Sequence, residues 1–78
     1  MEEEIENFIE VLEDLKEDLP LKLKESLESI ILEFKKPLNV ESLLSIQDRL
    51  EFFSNNKNLD SFSRNEIINI ITDIETLI

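Results

Sequence analysis

Prolines occupy two positions in this chain, Pro20 and Pro37, and the stretch between them carries one unbroken apolar stripe of helical period. A proline inside a helix removes a backbone N–H and clashes with the preceding turn, so both residues mark ends. Leu23, Leu27, Ile30, Ile31 and Phe34 recur at i, i+4, i+7, i+8 and i+11, which at about 100° per residue gathers them on one face. Pro20 suits a first helical turn and Pro37 disfavours helical backbone at Lys36, predicting a helix over residues 20–36. An apolar stripe must be covered, so the rest of the chain has to supply matching faces.

Three other segments do. Residues 2–18 place Ile5, Phe8, Ile9, Leu12, Leu15 and Leu19 on one face, with Val11 at its margin. Residues 40–53 follow Asn39, a suitable N-cap, and present a broad arc of Val40, Leu43, Leu44, Ile46, Leu50 and Phe53. Residues 61–77 lead to a stripe of Ile67, Ile70, Ile71, Ile74, Leu77 and Ile78, with Ile68 at its edge. Ser63-Arg64-Asn65-Glu66 has the form of a capping box and Phe62 with Ile67 that of a hydrophobic staple, while a start near Asp60 also fits. The expectation is an all-α fold, a small four-helix bundle with short loops forming a single helical domain over residues 1–78. Leu27, Ile30, Phe34, Leu50, Ile70 and Ile74 should be its core.

Punctuation and polar insertions add detail. The polar run from Ser54 to Asn58 is the clearest loop. Because the chain has no glycine, left-handed turn positions are expected to fall to Asn39, Asn55, Asn56 and Asn58. Gln47 interrupts the third apolar arc. We read it as a structural amide that fixes register, an amide lining a ligand pocket being the alternative.

A net charge of −11 is shared unevenly. Residues 1–18 hold nine acids against Lys16, giving −8; residues 19–38 give +1, residues 39–59 give −1 and residues 60–78 give −3. Glu6, Glu10, Glu13 and Glu17 form a ridge opposite the first apolar face. Like-charge pairs at i, i+4 along that helix cost roughly 0.2–0.5 kcal/mol each, a penalty that alternating Glu with Lys would have avoided. The ridge is therefore the candidate binding surface, and its sign favours a basic partner over phosphate backbones or anionic lipid.

The chemistry of catalysis is sparsely represented. There is no His for an imidazole base, no Cys for a thiolate and no Gly for a phosphate-cradling loop. Carboxylate pairs such as Glu13 with Glu17 lack the Glu-x-x-His ligands with which helical bundles hold paired metals. We expect no enzyme activity, no cofactor and no metal. Lys22, Lys24, Lys35 and Lys36 alone offer a basic strip, without Tyr or Trp to stack on bases, which argues against nucleic acid. Met1-Glu2-Glu3-Glu4 has the wrong sign for a secretory leader, and no apolar run approaches the roughly 18 residues of a membrane span, so a cytoplasmic protein off the membrane is expected.

The segment from Ser54 to Arg64 resembles a pattern in a family of small uncharacterised archaeal all-helical proteins. There a Ser-Asn-Asp-Pro-Asn-Met-Pro run precedes a helix with an early Arg. Ser54, Asn55, Asn58 and Arg64 match it, while Asn56, Lys57 and Asp60 replace its Asp and two Pro. Asp18-Leu19-Pro20 with Leu23 and Lys24 is similar to the acidic residue, Val-Pro and Ile-Arg at the head of that family's second helix. The resemblance implies a compact multi-helix bundle from an archaeal cytoplasm, with no assigned activity, cofactor or catalytic residue.

The functional expectation is a non-catalytic acidic interaction module, an adaptor or accessory subunit that binds a basic macromolecular partner through Glu6, Glu10, Glu13 and Glu17. The alternative is a self-associating homodimer. A chain of 78 residues is near the lower limit for a core unaided by disulfides, and Leu21, Leu32 and Phe52 fall off the core stripes.

Overall fold

Each apolar stripe forms a helix in the structure, a computed structural model that describes residues 2–78. Helix α1 spans Glu2–Glu17, α2 Leu21–Phe34, α3 Val40–Ser54 and α4 Ser61–Leu77, and no strand occurs among the described residues. Helices adjacent in sequence pack together, and α4 closes the ring against α1. Phe8 meets Phe34 and Lys16 meets Glu28 between α1 and α2, Arg49 meets Ser29 between α3 and α2, and Gln47 meets Ile71 between α3 and α4. Neighbouring helices therefore run in opposite directions, as short connections require. The product is an up-down-up-down four-helix bundle measuring 30 × 19 × 18 Å.

The six residues expected at the centre, Leu27, Ile30, Phe34, Leu50, Ile70 and Ile74, are at most 4% exposed. Leu12, Ile31, Leu43, Ile46 and Ile67 complete that layer, and the rings of Phe8 and Phe34 lie 6.0 Å apart in a tilted arrangement favoured by aromatic quadrupoles. Among the described residues no buried side-chain polar atom lacks a partner. None of the helices is long and apolar enough to cross a membrane.

Several expectations are corrected at the edges. Val40 and Leu44 are 53% and 45% exposed, and Ile78 is 49% exposed, because the inward arc of each helix is narrower than its apolar sequence. Helix α2 begins after Pro20, which is the residue before the first turn, and ends at Phe34 with Lys35 capping it. Helix α4 starts at Ser61 under an Asp60 cap, so the Ser63 to Glu66 box is not used, and Phe62 is 67% exposed and staples nothing. No described residue has positive φ, so the asparagines do not serve as left-handed substitutes for glycine. Asn39 and Asn56 act through their side chains: Asn39 Oδ1 accepts the Ser42 N–H at 2.9 Å while Ser42 Oγ accepts the Asn39 N–H at 2.8 Å, and Asn56 Oδ1 accepts the Asn58 N–H at 2.9 Å. These bonds close the turns with ordinary backbone angles.

Candidate interaction surface

Polar side chains tie the α1–α2, α2–α3 and α3–α4 seams. On the α1–α2 seam, Lys16 donates to Glu28 and pairs with Glu13 at 3.3 Å, while Glu13 also pairs with Lys35 at 3.6 Å. The Glu28 carboxylate, hydrogen-bonded to Lys16, holds that ammonium above its ordinary pKa, and the same bond holds Glu28 below the usual carboxylate range. On the α2–α3 seam, Arg49 donates to Ser29 Oγ at 2.7 Å and lies 3.8 Å from Glu33, which also pairs with Lys36.

The ridge predicted on α1 is thereby divided. Glu13 is half-buried and committed to Lys16 and Lys35. Glu6, Glu10 and Glu17 are exposed and make no hydrogen bond or ion pair among the described residues. The i, i+4 and i+11 spacing puts them on one outward line, and only that part of the ridge is open to an outside cation.

The acidic surface also extends beyond what the α1 ridge indicated. The α1–α4 seam opens as a groove of about 490 Å3 that includes Glu4, Glu66 and Asp73 over an apolar floor of Phe8, Val11 and Ile70. Toward the opposite end a smaller groove of about 340 Å3 includes Asp14, Asp18 and Asp60. No lysine or arginine lines either one. The Asp60, Glu66 and Asp73 contributions were not read from the sequence because they belong to another helix, and no local spacing signals which helix closes the ring. Among the described residues no cluster of three or more acids is arranged to hold a metal ion.

Two residues singled out by sequence have structural partners. Gln47 donates through Nε2 to the Ile71 carbonyl at 3.1 Å, tying α3 to α4. Arg64 reaches back from α4 to the preceding loop, where Nε donates to the Ser54 carbonyl at 2.9 Å and Nη2 to the Asn56 and Leu59 carbonyls at 3.0 Å each. Leu59, buried at 4% exposure, anchors the same loop from below.

The fold defines an antiparallel four-helix bundle whose acidic residues crowd one side. Compared with protein-family models, curated proteins and solved structures, the chain matches none. The archaeal resemblance rests on the loop and cap residues that suggested it.

Proposed function

We propose that this protein is a non-catalytic interaction module, an adaptor or accessory subunit of the cytoplasm, that binds a basic protein surface across the outer face of α1 and the adjoining α1–α4 grooves. One observation carries the reading: Glu13, Glu28 and Glu33 are paired internally across the α1–α2 and α2–α3 seams, whereas Glu6, Glu10 and Glu17 form one exposed line on α1 without a partner among the described residues. Asp14, Asp18, Asp60, Glu66 and Asp73 extend that negative field around the α4 side. Such a field accelerates encounter with a basic patch and selects its register more than it adds affinity. The apolar floor beneath the grooves gives a partner somewhere to place an uncharged side chain.

The test is capture from native cytoplasm at about 0.15 M salt. The unaltered chain should retain basic proteins that elute as salt rises, and the triple variant Glu6→Lys, Glu10→Lys, Glu17→Lys should lose them while keeping its helical circular dichroism. Glu13 is left in place because reversing it would break the α1–α2 ion pairs. Retention of the same proteins by the triple variant, at the same salt sensitivity, overturns the reading.

A further inference from the structure

The side of the bundle opposite the acidic grooves has a different character. Residues 19–59, which supply α2, α3 and their flanks, sum to zero charge, so the whole −11 resides on the α1 and α4 segments. Between α2 and α3 lies a groove of about 610 Å3, floored by Leu23, Ile30 and Phe53. Phe52 stands on its rim at 84% exposure, the most exposed large apolar side chain among the described residues. Asp48 and Arg49 flank it with opposite charges. A ring projecting beside a hollow that could receive a ring is self-complementary under a two-fold axis, because each copy offers both the knob and the hole.

We propose that the α2–α3 face binds a second copy of this chain, Phe52 of each copy seating in the other's groove. Three observations select a second copy as the occupant. The segments that build this face sum to zero charge, so two copies meet there with their acidic sides turned outward and furthest apart, whereas any other pairing brings the charged helices closer. Asp48, without an ion pair among the described residues, can pair across a two-fold axis with Arg49 of the other copy, whose guanidinium keeps donors beyond those directed at Ser29 and Glu33. One long side of a body 30 × 19 × 18 Å is about a fifth of its 5196 Å2 surface, on the order of 1,000 Å2, against the roughly 800 Å2 per partner of a standard interface.

This assignment moves the off-stripe residues expected to drive dimerisation. Phe52 remains central. Leu21 and Leu32, 69% and 51% exposed, do not line this groove.

Sedimentation equilibrium in moderate salt tests the proposal. The unaltered chain should pass from the mass of one chain to that of two between about 1 μM and 1 mM. Phe52→Glu removes the knob, and Ser26→Trp fills the groove while leaving Phe52 in place. Each should raise the dissociation constant at least about 100-fold, as expected for losing a central aromatic anchor on both copies. Both positions are exposed, so circular dichroism and melting temperature should be unchanged at concentrations where the parent is single, and the parent alone should melt higher as concentration rises. The Glu6, Glu10 and Glu17 reversal should dimerise as the parent does, which separates this face from the acidic one. A chain that remains single at 1 mM, or a dimer as tight in either groove variant as in the parent, overturns the proposal.

Discussion

Arg64 holds three backbone carbonyls of a loop that has neither glycine nor proline to stiffen it. A planar guanidinium spreads five donors over a wide, fixed fork, whereas the three donors of a lysine share one nitrogen. Arg64→Ala should cost roughly 1–3 kcal/mol, and Arg64→Lys should recover only part of it, read by urea denaturation. In the core, Ile30→Ala or Phe34→Ala should cost roughly 2–5 kcal/mol, while Phe52→Ala should stay within about 0.5 kcal/mol under conditions where the chain is single. The central layer was legible because Leu27, Ile30 and Phe34 announce burial by spacing alone. Leu59 was not, since it sits in a polar run with no period to follow. The role of Arg64 was invisible for a different reason: its partners are carbonyls, which every residue possesses.

Among the elements, starts are governed by caps. Asp60 Oδ2 accepts the Ser63 N–H at 3.0 Å, and hydrogen bonding from Ser63, by side chain and then by backbone, holds its carboxyl below the ordinary value. Sequence offered the Ser63 capping box, with an earlier start near Asp60 as the alternative. The earlier start prevails structurally because it makes Arg64 the fourth residue of α4, and helical side chains lean toward the N-terminus, here over the loop that Arg64 clamps. Asp60 and Glu28 both have lowered folded pKa values, so what they add is complete above the ordinary carboxylate value near 4 and fades as pH falls through their folded values. Lys16 is raised, so its contribution is complete below about 10.4 and fades as pH climbs through its folded value. Melting temperature against pH should therefore lose slope on both limbs in Glu28→Gln, which removes the partner of Lys16 as well. Asp60→Asn keeps an equivalent cap and should flatten the acid limb only. These groups are solvent-accessible, so each effect should be small and should shrink with salt.

The whole molecule separates its charge. Ring closure of α4 on α1 joins the −8 and −3 segments on one side and leaves the balanced segments on the other. At about 0.01 M salt the Debye length of roughly 30 Å exceeds the 19 Å width of the bundle, so every acid repels every other; at about 0.15 M it falls to roughly 8 Å. The melting temperature should rise across that range, and a flat or falling profile would mean that internal ion pairs dominate instead. The helix macrodipoles of an up-down bundle point alternately and cancel, so the molecule's electric moment comes from side chains and lies across the helix axes. A particle of that kind turns in a field before it binds anything. Adsorbed on a cationic resin or a positively charged electrode, copies should land in one orientation, α1 and α4 down and Phe52 toward the solvent, and that ring should then stay open to a probe in the bulk phase.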